Sequence, residues 1–282
     1  MKTYYTRPKS GEQAVAVHCP LCGIDQIKTV WQLEGFSFQR CRGCGHIYQN
    51  PRPRPSDLGG RYDDAYTEYE IANRDRYLHL MLLSLADLGF DRLTSGLTRP
   101  VRLLDIGCAT GALVETMQQR GWQAEGVEPC SGSVEYGRKR GLIIHEGTLD
   151  TLSLPAAAYD VIHSSHVIEH VPEPADFVRT IRYLLKPGGF CFCTTPNRDG
   201  WQARLSGANW RSAIADHVHL FSLDSLKRLH RQNGLTPLAW KTWGGLAEGL
   251  APRGIKKVAD RLAKQLGGGD VMILLAQRPL TD

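Results

Sequence analysis

The stretch Val101-Arg102-Leu103-Leu104-Asp105-Ile106-Gly107-Cys108-Ala109-Thr110-Gly111 decides the fold. An apolar run ends in an acidic residue and passes into a turn bracketed by Gly107 and Gly111, residues that tolerate unusual dihedrals and let a ligand approach the backbone. The turn lies at the carboxyl end of a predicted strand and opens a predicted helix, where unsatisfied N–H groups and the crevice of an open α/β sheet converge. Three residues separate the glycines, so the pattern is neither G-x-G-x-x-G nor a P-loop ending in Lys-Ser/Thr. A tight pyrophosphate seat is disfavoured, and a cofactor with a ribose but no phosphates fits better. The next strand supplies a partner in Glu128, about twenty residues on, whose carboxylate can accept from both ribose hydroxyls. A solvated strand end is the bland alternative for Glu128.

Outward from this turn, strand and helix alternate. Strands are predicted at Val101–Ile106, Ala124–Glu128, Ile143–His145, Asp160–Ser164 and Gly189–Thr194, with helices at Ala112–Arg120, Ser131–Lys139 and Ala175–Leu185. Strands alternating with helices of about ten residues argue for a mostly parallel sheet covered on both faces. Upstream, Tyr77, Leu78, Leu80, Met81, Leu82, Leu85 and Leu88 give one or two helices ended near Gly89. Downstream, Asn197 to Phe221 is irregular and aromatic-rich. Ser222 then caps a helix closed by Asn233-Gly234, and two further strands, Leu238–Trp243 and Val271–Ala276, flank a basic amphipathic helix at Ile255–Leu266.

These motifs resemble the class I S-adenosylmethionine-dependent methyltransferases. Leu104 to Gly111 looks like their first motif and Glu128 like the acidic end of their second strand. Tyr159-Asp160-Val161-Ile162 with Val167-Ile168-Glu169-His170-Val171 resembles their fourth-strand region, and Leu184-Leu185-Lys186-Pro187-Gly188-Gly189 their turn before strand five. The resemblance covers about residues 98–280. It implies a Rossmann-like seven-stranded sheet in the order 3-2-1-4-5-7-6, with the last strand antiparallel, and S-adenosyl-L-methionine as cofactor. Asp105, Gly107, Cys108, Gly111 and Ser164 would then border its methionine part, Glu128 its ribose, and Pro129, Thr148 and Leu149 its adenine. One departure stands out: Gly147-Thr148-Leu149-Asp150 occupies the place where many relatives have Gly-Asp-Ala. Thr148 offers no carboxylate to the adenine amine, leaving backbone carbonyls or Asp150.

Cys19-x2-Cys22 and Cys41-x2-Cys44, eighteen residues apart, have the spacing of a four-cysteine Zn²⁺ site. Four thiolates close the coordination sphere, so one structural rather than catalytic ion is expected. His18 and His46 lie beside the pairs as substitute ligands. Asn50-Pro51-Arg52-Pro53-Arg54-Pro55 follows as an extended connector. The stretch from Cys19 to Pro53 looks like the small zinc-binding module attached to methyltransferases acting on sugars or specialised metabolites. The expected organisation is therefore a zinc module and connector (1–55), a helical lead-in covering the substrate side (56–97), and a methyltransferase domain (98–282) with an insert at 197–221. The other thiols, Cys108, Cys130, Cys191 and Cys193, lack metal spacing, and the last two fill core space.

Methyl transfer from a sulfonium needs an in-line nucleophile, and a hydroxyl nucleophile needs a base. Histidine suits that work near neutral pH. His166 lies at the fourth strand's carboxyl end, and His170 follows Glu169 as a catalytic or shaping residue; His163 packs within the strand. A second group, Asp216-His217-Val218-His219, places His217 and His219 on one side if the segment alternates. Either could be the base, or a plain loop residue. Trp201, Trp210 and Arg211 in the insert could hold a ring, a sugar or an anion, or simply pack as a lid. No Asn-Pro-Pro-Tyr or Asp-Pro-Pro-Tyr follows strand four, which lowers the case for N-methylation.

Composition bounds the rest. The chain has 282 residues, 42% hydrophobic and 22% charged, outside the disordered class. Its net charge is +5, distributed as +4 over residues 1–60, −5 over 61–197 and +6 over 198–282, with no dense basic block, so nucleic acid is a disfavoured partner. Met1 to Pro8 lacks a secretory apolar run and no stretch approaches a membrane span, so a cytoplasmic protein with reduced thiols is expected. The expected activity is O-methylation of a small polar or glycosylated acceptor, sugar- or phosphate-containing ones included, with a histidine base. The rival readings are an RNA base methyltransferase, using Arg40, Arg42 and Arg52 on phosphates, and a non-catalytic binding scaffold. Oligomeric state, a homodimer included, stays open.

Overall fold

Residues 11–58, 63–246 and 252–281 are described by a computed structural model. The Met1 to Pro8 segment considered for targeting lies outside them. In chain order the elements are β1 (Ala14–Val15), β2 (Ile27–Leu33), β3 (Phe36–Cys41), β4 (Ile47–Gln49), β5 (Arg52–Pro53), α1 (Pro55–Leu58), α2 (Asp64–Asp87), α3 (Phe90–Thr94), β6 (Arg102–Ile106), α4 (Ala112–Gln119), β7 (Gln123–Glu128), α5 (Ser131–Lys139), β8 (Ile144–Glu146), β9 (Tyr159–Ser165), α6 (Pro174–Leu184), β10 (Leu185–Pro196), α7 (Trp201–Ser206), β11 (His219–Leu220), α8 (Leu223–Gln232), β12 (Thr236–Trp243), α9 (Arg253–Leu266) and β13 (Val271–Gln277).

Seven strands form one sheet in the order β8-β7-β6-β9-β10-β13-β12. Numbered within the sheet this is 3-2-1-4-5-7-6, and β13 runs antiparallel to both β10 and β12, as the sequence led us to expect. The remaining pairs are parallel, with Asp105 of β6 level with His163 of β9 and Ile106 level with Ser164. A parallel sheet needs cover on both faces. One face carries Leu104, Ile106, Ile162, Cys191 and Cys193 against α6 and α8. The other carries Leu103, Val161, Phe190 and Phe192 with residues of α2, α3 and α4. Each fully buried Leu, Ile or Phe side chain contributes roughly 1.5–3 kcal/mol.

Local chemistry sets the helix ends that matter here. Asp63 caps α2 by accepting from the Tyr66 N–H, and Ser222 and Ser225 form a reciprocal capping box at α8. Helix α2 is a single element of 24 residues that packs on α4 and α5 near the carboxyl ends of the strands. The Thr67 hydroxyl lies 3.2 Å from the Cys130 sulfur, and a Cβ on Gly132 would meet Thr67, so the lead-in helix roofs the region beyond β7.

A second sheet of four strands, ordered β11-β4-β3-β2, carries the cysteine knuckles. Its hairpin turns at Gly35, whose φ of 84° a side chain would resist. Its fourth strand comes from residues 219–220, so the segment between β10 and α8 is shared between the zinc module and the large domain. The linear division into 1–55, 56–97 and 98–282 did not anticipate this sharing. The segment is also less irregular than expected: it holds α7, a 3-10 turn at Gly207–Asn209 and β11. Among the described residues no helix is long and apolar enough to cross a membrane.

Candidate active site

The turn after β6 closes on itself. Gly107 and Cys108 both donate to the Val127 carbonyl at 2.8 and 3.1 Å, Ala109 donates to Glu128 Oε2 at 2.9 Å, and Gly111 donates to the Cys108 carbonyl at 2.9 Å. With those N–H groups engaged internally, the turn is not an anion nest, in keeping with a ligand without phosphates. Both glycines are required by packing as well as by dihedral. Gly107 (φ 70°) has Val167 Cγ2 only 2.3 Å from where a Cβ would be, and Gly111 (φ 75°) has Leu142 Cδ1 at 2.6 Å. Cys108 is buried, and its sulfur fills the space left by Gly126.

Glu128 is 1% exposed, its Oε1 accepting from Cys130 N–H and its Oε2 from Ala109 N–H, each at 2.9 Å. Burial pushes its carboxyl up to about 7 despite those two donors, with Asp105 adding to the rise. Glu70 on α2 is likewise raised to about 7 by burial and by the Glu128 charge. A carboxylate has about four lone-pair positions, so the two protein donors leave Glu128 room for two more, the number a vicinal diol supplies. The donor set therefore fits a ribose. Asp105 accepts from His163 Nδ1 at 2.7 Å, and both are buried; His163 packs within its strand as expected. Ser164 is buried with its hydroxyl unpartnered, Pro129 is half-buried, Leu149 packs against the core, and Thr148 is exposed, its hydroxyl donating to Asp150 at 2.5 Å.

Beyond the carboxyl end of β9, three imidazoles converge around Glu169. His166 has a left-handed φ of 56°, and its Nδ1 lies 3.0 Å from Glu169 Oε1, while Thr195 donates to Oε2 at 2.9 Å. Burial alone would raise the Glu169 carboxyl, but the His166 hydrogen bond and the nearby His170 and His217 hold it at about 2. His170 Nδ1 lies 2.9 Å from the Asp216 carbonyl, and His217 Nδ1 lies 2.8 Å from that of Ser212. Carbonyls only accept, so Nδ1 carries a proton in both rings, and His170 Nδ1 also lies 3.2 Å from the Asp216 carboxylate. The His170 and His217 rings meet edge to face at 4.8 Å. Burial, reinforced by His170, lowers His217 to about 4. Sequence reasoning noted the Glu169-His170 pair but did not identify Glu169 as the hub, and Thr195 carried no signal at all.

His219 does not join this group. Its imidazole has no exposed surface, Nδ1 lies 3.2 Å from His46 Nε2, and Nε2 lies 3.0 Å from the Val171 carbonyl. The alternation that put His217 and His219 side by side fails because the strand begins only at His219, whereas His217 N–H closes a turn on the Ile214 carbonyl. The insert's aromatic residues are also differently employed. Trp210 is buried and its Nε1 donates to Asp270 at 2.5 Å, while Arg211 pairs with the same carboxylate. The pair ties the insert to Asp270, with Trp31 edge-on to Trp210. Trp201 is half-buried against Gly268.

The sulfurs of Cys19, Cys22, Cys41 and Cys44 all lie within 4.8 Å of one another. A tetrahedron of Zn–S bonds of about 2.3 Å places sulfurs about 3.8 Å apart, so the four fit a zinc ion. Each pair forms the same knuckle: Gly23 N–H and Gly45 N–H bond back to the first cysteine's carbonyl, and both glycines have φ of 73°. Burial raises the Cys19 thiol. At Cys41 burial acts the same way but is outweighed, first by the Cys44 N–H, and the thiol sits at about 7. His46 points away from the cluster toward His219, which argues against its serving as a substitute ligand. Arg52, wanted for phosphates by an RNA reading, is buried and bonded to Pro172 O and Glu173 Oε1 at 2.7 Å.

Comparison with known proteins agrees with this geometry. Residues 73–239 match the family described as "Methyltransferase domain". Two similar curated proteins are the ubiquinone biosynthesis O-methyltransferases of Ruegeria pomeroyi, 34% identical over 54% of this chain and 65% of its own length, and of Cereibacter sphaeroides, 31% identical over 49% and 61%. The chain thus matches somewhat under two thirds of those relatives. Among solved structures, a chain of the complex between the Haloferax volcanii Trm112 methyltransferase activator and a methyltransferase superposes with TM-score 0.58 at 17% identity, covering 77% of this chain and 95% of that one. Haemonchus contortus phosphoethanolamine N-methyltransferase 2 with S-adenosyl-L-methionine gives 0.58 at 14% identity, over 83% of this chain and 63% of that one. The family match, the sheet order and the glycine turn facing Glu128 together make this chain a member of the methyltransferase-domain family, on the class I S-adenosylmethionine-dependent fold.

Proposed function

We propose that the protein methylates a hydroxyl of a small-molecule acceptor, with S-adenosyl-L-methionine as donor and His166 as the general base. The observation that carries this reading is the His166–Glu169 pair. A buried carboxylate accepts from Nδ1 and fixes the orientation of the ring, so Nε2 is the nitrogen left to meet an acceptor hydroxyl, on a side chain that is 48% exposed. His166 adopts a left-handed backbone with φ of 56°, a cost that a positioned catalytic group repays. The names of the curated relatives favour oxygen as the nucleophile.

The cofactor, when bound, supplies an electrophilic methyl on a sulfonium. The chain's part is to hold and to orient. Glu128 accepts from the ribose hydroxyls, the Gly107–Gly111 turn and Ser164 border the amino-acid end, and Pro129, Thr148 and Leu149 stand at the adenine. His170 and His217, each engaged at Nδ1, line the acceptor side; His170 is the second candidate base. His219, with both nitrogens engaged, is a structural residue. Cys19, Cys22, Cys41 and Cys44 hold one structural zinc ion. A sugar- or phosphate-containing acceptor has less support, since Trp210 and Arg211 are bonded to Asp270.

The test is methyl transfer from labelled cofactor to 3,4-dihydroxybenzoate and to nucleotide-linked sugars, with mass spectrometry locating the label. O-methyl product that falls about 10²–10⁴-fold in His166→Ala supports the reading. Label found only on nitrogen or carbon, or an unaffected His166→Ala, refutes it.

A further inference from the structure

The carbonyls on either side of His170, those of Glu169 and Val171, both bond to His219. The Glu169 carbonyl accepts from the N–H of His219 at 3.0 Å and of Val218 at 2.9 Å, and the Val171 carbonyl lies 3.0 Å from His219 Nε2. Because a carbonyl only accepts, the His219 proton is on Nε2 and its Nδ1 is a bare acceptor. His46 Nε2, 3.2 Å away, must therefore be the donor. His46 is itself fully buried, its ring 5.0 Å from Phe221 and stacked parallel to Tyr48. Its carbonyl accepts from Cys41 N–H at 2.9 Å, so the same residue closes the second cysteine knuckle. Strand β11 completes the connection by pairing His219 with Tyr48 and Leu220 with Ile47. The knuckle's outer carbonyls reach the large domain too: Arg228 donates to Cys44 O at 2.8 Å and Arg198 to Gly45 O at 3.3 Å.

We propose that His46 is a positioning residue for the acceptor side of the active site. It acts through His219 on the Glu169–His170–Val171 segment, so the four-cysteine knuckle sets the geometry of the acceptor-side histidines and leaves the cofactor side alone. The proposal rests on the methyl-transfer reading above for the meaning of "acceptor side". It adds that the zinc module is a working part of the reaction centre rather than an appended fold. The directional chain, His46 Nε2–H to His219 Nδ1 and His219 Nε2–H to Val171 O, is its physical content. The cofactor turn, Glu128 and their partners lie at the carboxyl ends of β6 and β7, and none of their hydrogen bonds described above involves the module.

The test uses the zinc-loaded full chain. In His46→Phe the aromatic packing against Tyr48 and Phe221 is kept and the donor is lost; in His46→Gln the side-chain N–H can stand where Nε2–H stood. With 3,4-dihydroxybenzoate as acceptor, His46→Phe should lower kcat/KM about 10- to 100-fold. Its zinc content and its affinity for S-adenosylhomocysteine should stay within about twofold, and His46→Gln should recover to within about fivefold of the parent. Equal losses in both variants, or wild-type kinetics in His46→Phe, overturn the proposal. Imidazole nitrogen NMR of the unsubstituted protein gives a readout independent of turnover and of whether the Phe variant folds. His219 should show a protonated Nε2 and a bare Nδ1, and zinc chelation should shift the His170 and His219 signals while S-adenosylhomocysteine still binds. Unchanged signals on chelation, or loss of cofactor binding along with zinc, overturn it. If no acceptor in the panel is methylated, the function reading fails while the NMR arm still decides this one.

Discussion

Replacing Glu128 by glutamine tests the cofactor assignment at its most exposed point. In the wild type each carboxylate oxygen already accepts one backbone N–H at 2.9 Å, from Cys130 and from Ala109, leaving one lone-pair position on each for a ribose hydroxyl. A glutamine keeps one acceptor oxygen and turns an NH₂ toward the other partner. Whichever way the amide lies, one backbone N–H loses its acceptor and one ribose hydroxyl loses a charged one. A hydrogen bond to a charged group is worth about 1.5–3 kcal/mol, so the dissociation constant for S-adenosylhomocysteine should rise roughly 10- to 150-fold. The unsatisfied N–H should cost about 1–3 kcal/mol of folding stability. Isothermal calorimetry and urea unfolding on the same samples separate the two effects. The pH dependence sharpens the test. With the free carboxyl raised to about 7, binding must displace its proton below that pH, so wild-type affinity should fall by up to about tenfold per unit, and Glu128→Gln should be flatter. A variant that loses stability yet binds within threefold of the parent would refute the assignment, leaving Glu128 as a turn fastener only.

Other outcomes follow from the same geometry. Metal analysis should find about one zinc per chain, and Cys41→Ser should lose it together with the fold of the small sheet, since metal binding of order 10 kcal/mol is what holds such a module. Gly107→Ala should destabilise by about 2–4 kcal/mol in urea unfolding, because its Cβ would lie 2.3 Å from Val167 Cγ2 on a backbone with φ of 70°; a neutral result would mean Val167 has room to move. Stability should fall on acidification through two windows. His217 is depressed to about 4, so the unfolded chain binds the extra proton between about pH 6.5 and 4 and stability is lost as pH falls through that range. Glu169, held at about 2, contributes stability that is fully present above about pH 4.3 and is lost as pH drops toward 2. His217→Gln should make the decline between about pH 6.5 and 4 shallower without abolishing it, because buried His219 and His230, lowered to about 3 and about 4, lose stability through the same range.

What the sequence made legible is what local chemistry dictates. The alternation of apolar strands and amphipathic helices defined the sheet, and the Asp105–Gly111 turn and Glu128 emerged because a positive-φ glycine and a strand-end carboxylate have few other uses at those places. The cysteine pairs were legible for the same reason: two C-x2-C knuckles impose their own geometry wherever the chain carries them. Boundaries moved only where packing overrules propensity, as in β10, which begins at Leu185, ahead of the expected Gly189, because Leu185 pairs with Tyr159.

The histidines were the opposite case. Four of them, His166, His170, His217 and His219, have much the same local sequence signal; Glu169 and Ser212, which engage His166 and His217, are close in sequence, but His170 and His219 are fixed by partners 46 to 173 residues away: Asp216 for His170, Val171 and His46 for His219. A histidine's chemistry depends on which nitrogen is engaged, and no periodicity carries that information. The same holds for Trp210 and Arg211, whose partner Asp270 lies beyond helices α8 and α9 in sequence. His219 shows why the distinction matters. It sits two residues from His217, in the same motif, yet one ring is engaged at Nδ1 and the other is bonded at both ends. The pairing of β11 with β4, a contact between the zinc module and the insert, places His219 in a strand with both ring nitrogens engaged, while His217, just outside that strand, is bonded through Nδ1 to the Ser212 carbonyl.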